Sequence, residues 1–181
     1  MRRVIYGGAI TLDGFLAGPA GELDWLHFSE EVQKIMQQSF SSADTVLMGR
    51  KTWAVSAPPE GAEDQTTAPD MGISTYVFSR TLQSVPKGVT LVREDAAGFV
   101  RELKQRPGKD IILMGGGELA QTLMAADLVD EVGLNIHPIL LGSGVPAFRD
   151  PGHRVRLKLK ESRQLDGGCI LATYDVQRTS P

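Results

Sequence analysis

Apolar positions recur along this chain with two different spacings, and the switch between them marks its organisation. Short apolar runs bounded by glycine or polar residues read as buried strands at Val4–Ile10, Thr45–Met48, Thr75–Ser79, Val89–Val92, Ile111–Met114 and Glu131–His137. Helical spacing falls between most of them. Ser29 is an N-cap for a helix through Phe40, with Glu30 and Glu31 in its first turn, where the helix dipole favours acids. Arg50–Ala54 begins another helical turn, Ala96–Gln105 is a third helix, and Glu118–Ala126 is a fourth carrying Leu119, Leu123 and Met124 on one face. After His137 the spacing changes to two. Val155, Leu157 and Leu159 alternate within Arg154–Arg163, and Cys169–Val176 alternates again. Leu165-Asp166-Gly167-Gly168 between them reads as the turn of a long antiparallel hairpin.

Strand–helix repeats followed by a hairpin predict an α/β fold. Its sheet is mixed and mostly parallel, with helices on both faces and the hairpin as an antiparallel edge. In such sheets ligands bind beyond the carboxyl ends of the parallel strands. Four of those ends carry glycine or small polar residues: after Ile10, at Gly49, at Ser79 and at Gly115. Asp13–Gly21 is a glycine-containing loop, in which Asp13 reads as a turn former rather than a catalyst. Ser56–Met71, rich in Pro, Gly, Ala, Thr and acids, reads as a surface loop.

Bulk properties narrow the classes. A chain of 181 residues suits one domain over 1–181 with a sizeable core. With 19 basic and 22 acidic residues, no global field draws it to nucleic acid or a membrane surface, and no apolar run reaches transmembrane length. Arg2 and Arg3 precede an apolar stretch, but Gly7 and Gly8 interrupt it and Asp13 ends it, unlike a signal peptide. The single cysteine, Cys169, leaves no internal disulfide, and His27, His137 and His153 lack metal-ligand spacing. These features predict a cytoplasmic protein without a metal.

Three clusters are candidates for chemistry. Ile111-Ile112-Leu113-Met114-Gly115-Gly116-Gly117-Glu118 runs from a strand through three glycines into a helix. This is either a tight turn or a cradle in which free N–H groups meet an anion, most often a phosphate. It lacks the spacing of a P-loop and of the Rossmann fingerprint. Met48-Gly49-Arg50-Lys51-Thr52-Trp53 sets two cations and a hydroxyl after a strand, either as solvated charges or as a phosphate grip. Tyr76-Val77-Phe78-Ser79-Arg80-Thr81 repeats that design, as a turn with a solvent-facing arginine or as a holder for the extra phosphate of an NADP-type dinucleotide. No Gly-x-Ser-x-Gly elbow is present.

In order, these segments resemble the dihydrofolate reductase-like superfamily, and within it the branch of the riboflavin-biosynthesis reductase. The matching pieces are Ile10–Ala17, Met48–Trp53, Val77–Arg80, Met114–Leu119, Leu128–Val132 and Pro138–Phe148, nearly the whole length of the chain. The resemblance implies a three-layer sandwich and an NADPH-dependent reductase, with Ala9 and Leu16 bordering the nicotinamide. Gly49, Arg50, Lys51 and Thr52 would contact phosphates, Ser79 and Arg80 the 2′-phosphate, and Gly115, Gly116, Gly117 and Glu118 the pyrophosphate region. The family's glycine pair often carries a cis peptide. For the substrate, Glu30, five residues after Trp25, lies near the acid that protonates the pterin in folate reductases, and Asn135 matches the strand position that supports it. The Pro138–Phe148 segment instead is similar to the riboflavin-type branch, whose substrate is a ribosyl-phosphate pyrimidine. The resemblance therefore implies a reductase similar to 5-amino-6-(5-phosphoribosylamino)uracil reductase, with a folate reductase or a nucleotide-binding module without turnover as alternatives. The branch is commonly dimeric, so a homodimer is expected.

Overall fold

The computed structural model describes residues 1–56, 72–115 and 117–178. The loop predicted over 56–71 falls outside them except for its first residue. Gly116 also falls outside, and with it both peptide bonds of the glycine run on which a cis bond is expected.

Among the described residues, ten strands and four α-helices follow one another. The strands are β1 (Val4–Thr11), β2 (Phe15–Ala17), β3 (Ala43–Gly49), β4 (Ser74–Phe78), β5 (Val89–Val92), β6 (Asp110–Met114), β7 (Glu131–His137), β8 (Val145–Pro146), β9 (Arg156–Gln164) and β10 (Ile170–Gln177). The helices are α1 (Glu30–Ser41), α2 (Arg50–Ser56), α3 (Ala96–Gln105) and α4 (Gly117–Ala125). Eight strands form one sheet in the order β5-β4-β3-β6-β1-β7-β10-β9. Every neighbouring pair up to β7 is parallel, and β10 and β9 add antiparallel. The mixed sheet with a terminal hairpin is the expected one.

Alternation on the strands supplies both faces with apolar side chains. Val4, Tyr6, Leu47, Ile111 and Leu113 project to one face, where Val100 and Leu103 of α3 and Leu119 and Leu123 of α4 close over them. Val46, Met48, Val77 and Ile112 project to the other, beneath Phe40 of α1 and Trp53 of α2. Full burial of each such side chain contributes about 1.5–3 kcal/mol, so the two layers of helix are held chiefly by these contacts. Ser29 caps α1 as expected, its hydroxyl accepting from the Val32 N–H at 3.3 Å. Tyr6 is buried, its hydroxyl donating to the Ala147 carbonyl at 2.6 Å, and burial pushes its pKa up.

Two features depart from the sequence expectation. The loop over Asp13–Gly21 contains β2, which pairs with β8 from inside the Pro138–Phe148 segment to make a separate two-stranded sheet. Strands of two and three residues carry too little alternation to register as a pattern. Every residue of β9 is exposed, including Leu157 and Leu159, although alternation ordinarily signals one covered face. As the outermost strand it lies beyond the helices, and its lysines are the usual guard of a free edge.

Candidate functional site

The parallel strands end in a staggered line. Phe78 of β4 pairs with Gly49 of β3, Met48 of β3 with Met114 of β6, and Met114 with Gly7 of β1. β6 stops there, while β1 continues through Thr11 beside β7, pairing Ala9 with Asn135 and Thr11 with His137. The carboxyl edge thus carries, in spatial order, Ser79-Arg80, Gly49–Thr52, Gly115 and Gly117, Gly8-Ala9 and Asn135–His137. At a strand spacing of about 4.8 Å, the first four groups extend over roughly 14 Å. Segments distant in sequence become neighbours only because the sheet order is not the chain order.

The residues along this edge differ in what they leave free. Arg50, Lys51 and Arg80 are exposed and form no ion pair with another described residue. Ser79 is half-buried, and its hydroxyl accepts from the N–H groups of Thr81 and Leu82 at 3.2 and 2.9 Å, so it shapes the turn that presents Arg80. A Cβ on Gly49 would meet no described residue within 4 Å. Gly115 and Gly117 are different. Gly115 has φ +55°, and a Cβ there would stand 2.5 Å from the Thr52 hydroxyl. One on Gly117 would stand 2.6 Å from the Pro146 carbonyl. Their missing side chains let α2 and β8 close on the junction, a packing reason beside any ligand role. Glu118, in the first turn of α4, is exposed and lies 3.7 Å from Arg149.

Leu16 on β2 lies over Gly8, its Cδ2 3.7 Å from where a Cβ on Gly8 would be. The loop carrying it is tied down by Asp13. That carboxylate accepts from the Thr11 hydroxyl at 2.6 Å and from the N–H groups of Gly142 and Leu141 at 2.7 and 3.0 Å. The Thr11 hydroxyl first, and then those N–H groups, hold the Asp13 pKa below the usual carboxylate range. Asp13 is therefore a clamp between two loops, more than a local turn former.

Of the acid–amide pair, Asn135 is half-buried on β7, and Glu30 opens α1 with an exposed side chain that bonds no other described residue. Val32 and Ile35 of α1 pack with Leu171, the β10 neighbour of Asn135. The structure brings the helix against β10, the strand beside Asn135, while the Glu30 carboxylate stays exposed.

Two residues passed over by sequence reasoning meet at the end of β7. His137, 2% exposed, meets the ring of Trp25 edge to face at a centroid distance of 5.1 Å. Among the described residues, Trp25 Nε1, Asn135 Oδ1 and His137 Nε2 are each buried without a hydrogen-bond partner. Such atoms cost about 1–3 kcal/mol apiece and are uncommon in native interiors. The available signal was the alternation of β7, which sets His137 on the same face as Asn135 at the strand end. Among the described residues no cluster of three or more His, Cys, Asp or Glu is arranged to hold a metal, and no helix is long and apolar enough to cross a membrane.

Comparison with known proteins bears on this geometry. The family model described as RibD C-terminal domain matches residues 2–171. The uncharacterized protein YyaP of Bacillus subtilis (strain 168) is 35% identical over 181 residues, covering 96% of this chain and 94% of YyaP. A crystal structure of a putative riboflavin biosynthesis protein from Shewanella sp. PV-4 is 26% identical with a TM-score of 0.74, covering 97% of this chain and 99% of that one. The diaminohydroxyphosphoribosylaminopyrimidine deaminase/5-amino-6-(5-phosphoribosylamino)uracil reductase of Thermotoga maritima shares the fold, with a TM-score of 0.72 at 17% identity. That alignment covers 97% of this chain and 57% of the Thermotoga one. The fold is the dihydrofolate reductase-like one.

Proposed function

The chain belongs to the RibD C-terminal domain family, and from that premise we propose that it is an NADPH-dependent reductase of a small heterocyclic substrate, similar to 5-amino-6-(5-phosphoribosylamino)uracil reductase. The observation that carries this reading is the order of unlike groups along the carboxyl edge. An exposed guanidinium at β4 is followed by cations and a glycine at β3, a glycine-to-helix junction at β6, a small-residue strand at β1 and polar side chains with buried unpartnered atoms at β7. That sequence of charges and surfaces matches an extended dinucleotide with an additional phosphate at one end and a flat ring at the other.

The residues present fit such a group. Arg80, with Ser79 shaping its turn, receives the 2′-phosphate. Gly49, Arg50, Lys51 and Thr52 would hold the adjoining phosphates, and Gly115, Gly117 and the head of α4 at Glu118 would hold the pyrophosphate, while Gly116 lies outside the described residues. Ala9 and Leu16 border the nicotinamide. When bound, NADPH supplies the hydride. The chain's part is to orient the substrate beside Ala9 and Asn135 and to exclude water, which is where most of the rate arises. Glu30 at the head of α1, whose carboxylate is exposed and bonds no other described residue, or a water would deliver the proton, with Asn135 at the strand position that supports the acid.

Thermal melting tests the cofactor. NADPH at a hundredfold excess over its Kd stabilises the fold by about 2.7 kcal/mol, and NADH at the same concentration raises the Tm far less. Equal or absent shifts sink the reading. Arg80→Ala abolishes the preference for NADPH without lowering the Tm of the free protein; a surviving preference assigns the phosphate to another residue. Turnover, followed by loss of NADPH absorbance, is expected with the ribosylamino-pyrimidine and not with dihydrofolate.

A further inference from the structure

Resting on the reading of the carboxyl edge as a cofactor line, we propose that Asp13 is a positioning residue for the ring end of the cofactor. It anchors the strap that carries Leu16, and so fixes the wall against which the nicotinamide lies.

The strap is the separate two-stranded sheet, in which Phe15 of β2 pairs with Pro146 of β8 and Ala17 with Val145. Strands of three and two residues do not hold together in water by themselves, so the strap sits where its surroundings fix it. The β8 side is fixed by the large sheet and by α4. The Ala147 carbonyl accepts from the buried Tyr6 hydroxyl at 2.6 Å, the Ala147 N–H donates to the Gly14 carbonyl at 2.9 Å, and the Pro146 carbonyl lies against Gly117. The two strands also approach closely, since a Cβ on Gly144 would collide with the Ala17 carbonyl.

The β2 side leaves β1 through the turn at Asp13, and there side chains make the attachment. Thr11, fully buried at the end of β1, donates its hydroxyl hydrogen to one Asp13 oxygen at 2.6 Å and accepts from the Phe15 N–H at 2.9 Å. The other Asp13 oxygen accepts from the Leu141 and Gly142 N–H groups at 3.0 and 2.7 Å. One carboxylate thus joins the rigid strand, the turn and the segment leading into β8.

What this holds in place is Leu16. Its neighbours Phe15 and Ala17 pair with β8, while Leu16 packs on the main core cluster and lies over Gly8, one residue from Ala9. A wall set before the ligand arrives spares the cost of ordering it on binding. Without the carboxylate, the cost falls on the ring end alone, because Ser79 and Arg80 stand beyond β3 and β6, three strands from β1. Solvent reaches the Asp13 carboxylate, so each of its hydrogen bonds is modest and the expected effect is a few-fold one.

The test compares two probes on the full chain by titration calorimetry: NADPH, and adenosine 2′,5′-bisphosphate, which carries the 2′-phosphate but no nicotinamide. Asp13→Ala is expected to weaken NADPH about three- to tenfold and to leave the bisphosphate within about twofold. Leu16→Ala gives the same pattern, and the double variant binds NADPH no more weakly than the weaker single one, because one residue acts through the other. Amide hydrogen exchange of the native chain is a readout free of any substitution. NADPH slows exchange at Leu16, Leu141 and Gly142, and the bisphosphate does not. The inference is overturned if Asp13→Ala binds NADPH as the native chain does, if it weakens both probes equally, if the two substitutions add in full, or if both probes slow those amides alike. A native chain that binds neither probe overturns the cofactor reading and this inference with it; one that binds both, with affinities indifferent to Asp13, overturns this inference alone.

Discussion

The two ends of the same parallel strands are built on opposite principles. At the amino ends the chain satisfies its own charges. Arg2, 8% exposed, pairs with Asp44, donates to the Thr45 hydroxyl at 2.6 Å, and gives its Nε–H to the Lys109 carbonyl at 2.7 Å. Lys104, 2% exposed, pairs with Asp130 and donates to the Leu128 carbonyl at 2.9 Å. Asp130 also accepts from Arg178 and from the Val4 N–H, and Glu131 takes both Arg3 and Lys160. At the carboxyl ends the cations Arg50, Lys51 and Arg80 have no ion-pair partner among the described residues, and three buried polar atoms are unmatched. Buried charges require partners inside the fold, whereas unmatched groups at one edge have a physical reason if a ligand completes them. Self-satisfied charges and unmatched groups are thus separated along the strand axis.

The strongest way to break that contrast is Asp130→Ala, which leaves the buried Lys104 ammonium with one carbonyl for company. It is expected to cost about 3–5 kcal/mol in urea unfolding while leaving the NADPH-induced rise in Tm intact. A loss of cofactor response in a folded variant would show that the two ends are coupled.

A matched pair of glycines sharpens the contrast at the carboxyl edge itself. Gly117→Ala drives a methyl group against the Pro146 carbonyl and is expected to lower stability by about 1–3 kcal/mol. Gly49→Ala meets no described residue, so its unfolding free energy stays within about 0.5 kcal/mol while NADPH affinity falls. If Gly49→Ala binds NADPH normally, the approach to β3 is not past that glycine.

The smallest effect is a matter of pH. Burial raises the Asp44 pKa, but the Lys109 N–H, the Thr45 hydroxyl and the charges of Arg2 and Lys109 together hold it below its ordinary value of 3.8. A carboxylate with a depressed folded pKa adds stability that is present above the unfolded value and lost as pH falls through the folded one. Unfolding followed from pH 7 downward should therefore show a loss beginning near pH 4, and Asp44→Asn should flatten that limb. An unchanged acid limb would assign it to other carboxylates, Asp13 first among them.

How much of this was readable beforehand depends on the range of the interaction. The helix cap at Ser29, the glycine-marked strand ends and the hairpin are local matters of period and turn chemistry, and they appear in the chain where expected. The Asp13 clamp was half readable: its place in a turn follows from the neighbouring glycine, but its partners Leu141 and Gly142 lie far along the chain. The β2–β8 pairing was hidden because two or three residues form no periodic pattern. The ion pairs of the amino ends were hidden for another reason, since Arg3 and Glu131 are 128 positions apart and nothing in either neighbourhood names the other.

By itself the sequence determined which segments become the helices and the strands of the eight-stranded sheet and where each parallel strand stops, because those depend on side-chain periodicity and on glycine at specific positions. Only the tertiary structure decided which stops become neighbours. The order β4-β3-β6-β1-β7 sets Arg80, Gly49, Gly115, Ala9 and Asn135 in one line, and the fold lays Trp25 against His137. That arrangement follows from packing two layers of helix onto a single sheet, and no stretch of chain contains it.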